Sequence, residues 1–403
     1  MRAFDQSPTD PAFVQDPYPF YDRLRVAGDL AFWSDYGMPV AAGHATVAAL
    51  LRDKRFGRED PFPPDRPDHQ RAFWSVEDHS LLQLEPPAHT RLRAQVLRAF
   101  TSARIARLEP EIAALADALI DAFPSGPFDL LDAFARPLPV RVIARLLGVP
   151  EDDGPDLLRW SNDMVRMYMA ARTVEAERGA AAAAAEFADY LERVIAAKRT
   201  APADDLLTRL LEVEADGVLT RPETVATCIL LLNAGHEATV HTLGNATLAL
   251  HRTGLLGRPI DAPLVEEVMR IDPPLHMFTR YATEDVEVFG HRFARGDQVG
   301  LLLGAANRDP AVYPDPATLR PDRFPDAPAH LGFGGGIHFC LGAALARMEI
   351  RVGLDALVRR CPDLTISTRT SYADVYHFHG LDTLHVDRSR DARATLAPVG
   401  DLT

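Results

Sequence analysis

The segment Phe333-Gly334-Gly335-Gly336-Ile337-His338-Phe339-Cys340-Leu341-Gly342 concentrates the chemistry of this chain. Cys340 sits at the entrance of a predicted helix running from about residue 343 to 360. Unpaired backbone N–H groups and the positive end of a helix dipole favour a thiolate there, the form of cysteine that ligates a metal or attacks an electrophile. The glycines let the backbone lie close to a bulky planar group, or adopt dihedrals that other residues avoid. A large disc-shaped cofactor would require both properties. A cysteine nucleophile with His338 as base is the rival reading. A zinc site finds only two ligands here, Cys340 and His338.

The elements that position this segment are mainly helical. Thr220 and Glu223 form a capping box ahead of an apolar helix over 225–250 that Gly254 stops, so its length is on the order of 45 Å at 1.5 Å per residue. Its middle reads Leu231-Leu232-Asn233-Ala234-Gly235-His236-Glu237-Ala238-Thr239, and the glycine and carboxylate there lower helix stability, which suggests a local use. Helical periodicity also covers 104–123 and the alanine-rich 174–198. Short β-type runs are confined to 39–42, 286–293 with Gly290 at the turn, 299–303, and 376–386. Glu267 and Arg270 stand three apart on one predicted helix face, and His89 and Arg93 four apart on another that follows Pro86-Pro87. No repeat or linker divides the chain, so one domain over 1–403 is expected, with 387–403 as a loose tail.

A net charge of −14 disfavours nucleic acid and anionic membrane as partners. No run of eighteen apolar residues occurs and the first eleven residues are polar, so a cytoplasmic protein without a membrane anchor is expected. Three cysteines, Cys228, Cys340 and Cys361, argue for reduced thiols rather than a disulfide framework.

The pattern F-G-G-G-I-H-F-C-L-G resembles the haem-thiolate signature of the cytochrome P-450 family. The resemblance extends from Asp16-Pro17-Tyr18-Pro19 through Asn307-Arg308-Asp309-Pro310 to the helix after Cys340. It implies a triangular, mainly α domain with small peripheral β-sheets, holding haem b (iron protoporphyrin IX) between the long helix and the cysteine loop. Cys340 would be the iron ligand, with Gly342 in the same cofactor-binding loop, and the thiolate would favour O–O cleavage. His89, Arg93, Arg280 and His338 correspond to propionate partners. Glu267 and Arg270 match the family's E-x-x-R, with Arg323 as the third, structural partner. The implied reaction is oxygen insertion into a small, largely apolar organic molecule, using O₂ and electrons from NAD(P)H through a separate ferredoxin and ferredoxin reductase. Arg98, Arg347 and Arg351 are candidates for the docking patch, and a monomer is expected. A non-catalytic haem sensor would share the ligand but gives no reason for an acid on the distal helix.

Family correspondence makes Phe73, Leu231, Ala234, Ala238, His276 and Phe378 substrate contacts. Met164 and Met167 fit pocket lining and core filler equally well, and a structural role competes for His276 and His377. In one respect the chain departs from the family. The pattern A-G-x-[DE]-T becomes Ala234-Gly235-His236-Glu237-Ala238, so Glu237 can bring protons in while the usual alcohol is missing. The final donor is then a substrate hydroxyl with ordered water, or Thr239 if the helix bulges at Gly235. Thr239 lies about 100° from position 238 on a regular helix, which favours the first option. The missing alcohol also leaves open a peroxide-driven or oxidative-coupling chemistry.

Overall fold

The computed structural model describes residues 1–169, 172–366 and 370–388. The helices that bear on the site are α1 (Tyr18–Val26), α2 (Ala88–Ala99), α3 (Ser102–Asp121), α4 (Pro137–Leu147), α5 (Val174–Thr200), α6 (Arg221–Arg252), α7 (Ala262–Ile271) and α8 (Ala343–Arg360). The strands are short. They are β1 (Ala3–Phe4), β2 (Ala31–Trp33), β3 (Met38–Ala41), β4 (Phe56–Gly57), β5 (Phe128–Asp129), β6 (Met277–Ala282), β7 (Val286–Val288), β8 (His291–Phe293), β9 (Gln298–Leu302), β10 (Thr365–Ile366) and β11 (His385–Asp387). They form a six-stranded sheet ordered β1-β2-β3-β9-β6-β4, a three-stranded sheet β10-β11-β5 and the hairpin β7-β8. In the large sheet β6 runs antiparallel to β9, with Met277 opposite Leu302 and Arg280 opposite Val299. Of the expected tail, Asp387 closes β11, and the residues after Arg388 lie outside the described residues.

α6 is the axle of the helical part. Thr220 Oγ1 accepts from the Glu223 amide and Glu223 answers to the Thr220 amide, so the expected capping box starts a helix of 32 residues. Side chains from 223 to 229 and from 242 to 248 are buried almost without a break. α4, α7 and α8 all pack on α6, and α3 packs along α8. Gly235 serves this packing, because a Cβ there would come within 2.7 Å of Ile143 Cγ1 on α4. The helix passes Gly235 as regular α-helix, so the bulge that would have turned Thr239 toward the site is absent.

A buried ion network ties α7 to the chain ahead of the cysteine loop. Arg270 holds Glu267 through two bonds, Nε to Oε2 at 2.7 Å and Nη2 to Oε1 at 2.8 Å. Arg323 Nε lies 3.1 Å from each oxygen of the same carboxylate. Backbone carbonyls take up the remaining guanidinium hydrogens: Asn307 and Pro316 from Arg270, Pro314, Asp315 and Thr318 from Arg323. Asn307 Oδ1 in turn receives the Leu331 amide at 2.7 Å, which carries the constraint to the loop. Glu266, one residue earlier, reaches Arg347 on α8 and His330.

Removing one partner strands a buried charge, so Glu267→Gln is expected to cost about 3–5 kcal/mol of stability and to lower haem content. Chemical denaturation with a parallel haem assay checks this, and a change within about 0.5 kcal/mol, the scale of an ordinary surface substitution, would contradict it.

Candidate active site

The cysteine loop is closed by its own backbone. The Cys340 amide donates to Phe333 O at 3.0 Å and the Gly334 amide to Leu331 O at 2.8 Å. Gly334 and Gly336 are left-handed, with φ of 70° and 67°. At Gly336 a Cβ would stand 2.2 Å from the Leu51 carbonyl oxygen, so no other residue fits. The close approach expected of these glycines is therefore to the protein's own backbone at Leu51, on the side of the loop behind the cysteine.

Cys340 precedes α8 by two residues, and Gly342 is its N-cap. By accessible area the cysteine is exposed, as are Ile337 and Phe339. Desolvation by the surrounding protein pushes the thiol pKa up. The Gly342 amide, Arg93 and Arg347 oppose this rise without overcoming it. The helix entrance alone thus does not hold a thiolate. A cation bound to the sulfur would.

The fit to a propionate-bearing disc rests on a group of basic side chains, two arginines and two histidines, beside the cysteine loop. Arg280 is 2% exposed, and its guanidinium donates only to its neighbour's carbonyl, Thr279 O, among the described residues. Burial, then the nearby Arg58, lowers its pKa to about 9. His89 lies 4.5 Å ring to ring from His338, with its Nε2 buried and unpaired. Burial, followed by His338 and Arg93, takes its pKa down to about 4. The four expected propionate partners do converge, and Arg58 joins them, stacked with Arg280 over the Phe278 ring. Two details were not anticipated. His338 Nε2 meets Glu85 at 2.9 Å, and Arg93 donates to Phe339 O at 2.6 Å. Arg58 and Glu85 carry no spacing signal, since only the tertiary fold brings them there.

α6 has one open stripe near its middle. Leu230, Leu231, Ala234, Glu237, Ala238 and His241 are partly or fully accessible, whereas the flanking turns at 223–229 and 242–248 are buried. Three of the expected contacts, Leu231, Ala234 and Ala238, lie on this stripe. Glu237 is held between His241, 3.2 Å from Oε1, and His236, 3.6 Å from Oε2. Burial opposes its ionisation, yet His241 and then His236 keep the carboxyl below its usual range. Thr239 is on the buried side, facing Glu349 of α8.

Other expectations need correction. Phe73 is 1% exposed and packs on Trp74 and Tyr168, so it belongs to the core. Met164 and Met167 are core residues too. His276 is fully buried against Tyr21 and Tyr18, away from the stripe. Phe378 remains half-buried beside His241. Glu77, Tyr168 and His377 form a polar cluster: Glu77 accepts from Tyr168 at 2.9 Å, and Tyr168 stacks on His377. The proposed docking arginines are largely spent, Arg347 on Glu266 and Arg351 on Glu109, which leaves Arg98 with only Gln95 among the described residues.

A family model for cytochrome P-450 matches residues 262–374, the stretch holding the E-x-x-R and the cysteine loop. The cytochrome P-450 monooxygenase PikC of Streptomyces venezuelae is 38% identical over 88% of this chain and 86% of its own length. The chain belongs to the cytochrome P-450 family. The biotin biosynthesis cytochrome P-450 of Bacillus subtilis (strain 168) is 33% identical over 93% of the chain and 96% of that protein. Among solved structures, CalO2 superposes with a TM-score of 0.87 at 34% identity, covering 96% of this chain and 99% of that one. The protein is accordingly a haem-dependent oxidoreductase of the P-450 monooxygenase type. No helix among the described residues is long and apolar enough to cross a membrane.

Cys340→Ser is expected to abolish the red-shifted Soret band of the reduced carbon monoxide complex, while Cys228→Ala and Cys361→Ala, both buried elsewhere, leave it in place. An unaltered spectrum in the Cys340 variant would refute the assignment.

Proposed function

We propose that this P-450 holds haem b through Cys340 and oxidises a small organic molecule, drawing electrons from NAD(P)H through a separate ferredoxin and its reductase. The observation that carries the reading is the accessible Cys340 ahead of α8 with Arg93, His89, His338, Arg280 and Arg58 gathered beside its loop. His89, Arg93, Arg280, His338 and Arg58 would hold the propionates. When bound, the haem supplies reductive activation of O₂ and delivery of one oxygen atom. The chain's own part is to exclude water, orient substrate and move protons.

Leu231, Ala234, Ala238 and Phe378 offer an apolar wall, which suits a largely apolar skeleton. Glu77, Tyr168 and His377 add hydrogen-bonding groups nearby, which fits a substrate carrying at least one polar function. Glu237, ionised and paired with two histidines, is placed to pass protons toward the stripe. Ala238 offers no hydroxyl, and Thr239 is turned to α8. The last proton then comes from a substrate hydroxyl or a water it orders. That same gap favours, as a second reading, peroxide-driven or oxidative-coupling chemistry. A cytoplasmic monomer remains our expectation.

For a compound found by its spin-state shift, Glu237→Gln is expected to slow turnover by about 10²-fold, the usual scale for a proton-transfer group. Thr239→Val should keep most of the product formed per NADH. Loss of coupling with peroxide release in Thr239→Val would assign the hydroxyl to Thr239 instead.

A further inference from the structure

Outside the haem site, the described residues hold one cluster of metal-ligating side chains: Asp272 just past α7, His276 just ahead of β6, and His379 in the C-terminal segment. All three are buried, at 7%, 0% and 2% exposure. Asp272 Oδ1 lies 3.1 Å from His379 Nδ1 and 3.8 Å from His276 Nε2. The two imidazole rings stand 4.4 Å apart. Despite these distances, His276 Nε2 and both ring nitrogens of His379 have no hydrogen-bond partner among the described residues.

The surroundings prepare each ligand. The Tyr21 hydroxyl bonds both Tyr376 and His276 Nδ1, each at 2.9 Å. That holds the ring with Nε2 facing Asp272. Tyr18 donates to Asp272 Oδ1 at 2.6 Å and Tyr372 to Oδ2 at 2.7 Å, while Tyr372 also stacks on His379 at 3.8 Å. Outer partners that orient a ligating imidazole and carboxylate in this way are a regular feature of protein metal sites.

A tetrahedral ion with ligand bonds of about 2.0–2.1 Å has ligand atoms about 3.3 Å apart, between the two separations seen here. Two imidazoles and one carboxylate exclude the hard ions that take oxygen alone. We propose that Asp272, His276 and His379 bind a divalent transition ion of zinc's size and softness, with water in the fourth position. The ion clips the end of α7 and the start of β6 to the segment whose Phe378 bridges to Leu275. It therefore anchors one wall of the active site without taking part in chemistry. Because the ligands are buried, the ion enters as this segment closes during folding.

The test is the zinc content of haem-loaded protein produced in zinc-supplemented medium, passed over chelating resin and measured by elemental mass spectrometry per chain. About one zinc per chain is expected in the wild type, and under a tenth of that in His276→Gln and His379→Gln variants that keep the thiolate-type spectrum. Zinc absent from the wild type, or equal in wild type and variants, overturns the proposal and leaves a His379–Asp272 ion pair as the cluster's role. If the variants do not fold, zinc-edge absorption fine structure of the wild type decides: two imidazoles at about 2.0 Å support the site, and fewer overturn it.

Discussion

One buried carboxylate facing two buried guanidiniums is the constraint on which the cysteine loop depends. Glu267 is shared by Arg270 and Arg323, and all three are almost fully withdrawn from water. Taking such charges out of water is costly unless every hydrogen finds an acceptor. The chain meets that demand by wrapping residues 307–318 so that their carbonyls point inward at the two arginines. This wrapped segment cannot shift without exposing an unpaired cation. Asn307 passes its rigidity to Leu331, and the loop from Leu331 to Cys340 is then closed by two backbone bonds. Glu266 adds a second strut from α7 to α8 through Arg347. The position of the sulfur is thus set from both ends by groups that never touch it.

The opposite wall obeys a packing constraint. α6 can cross the molecule because almost all of its circumference is buried, and its open stripe exists only where neighbouring helices stand back. Gly235 lets α4 approach closely on one side, bringing Ile143 where a side chain would otherwise be. The charge on Glu237 is tolerable in this apolar setting because His236 and His241 flank it. His241 also contacts Phe378, so the acid, its histidine and the C-terminal segment form one connected wall.

Much of this was legible in the residues. The capping box, the long helix, the hairpin around Gly290 and the start of α8 follow from local rules, and the structure reproduces them within a few residues. The E-x-x-R trio and the converging propionate partners were legible from spacing together with family resemblance. The misreadings are all tertiary. Whether Phe73 or His276 faces a pocket or the core depends on which neighbour covers it, and periodicity does not encode that. Arg58, Glu85, Glu77 and Tyr168 come from distant segments, and none stands in a motif. Arg347 and Arg351 looked free because their partners, Glu266 and Glu109, lie far away in the chain.

The displaced threonine shows how the fold and the chemistry compete for one side chain. A step from position 238 to 239 rotates the hydroxyl by about 100°, enough to move it from the open stripe to the face packed on α8. There it meets Glu349, which is fully buried. Burial drives that carboxyl well above its usual range, and the Thr239 hydroxyl opposes the rise. A neutral acid in an apolar helix interface needs a polar neighbour, and Thr239 fills that place. Serving Glu349 removes it from the active site. Ala238 cannot replace it, and Glu237 is turned to its two histidines. On the open stripe of α6 Glu237 therefore stands without an alcohol beside it, because the one at 239 is committed to packing against α8.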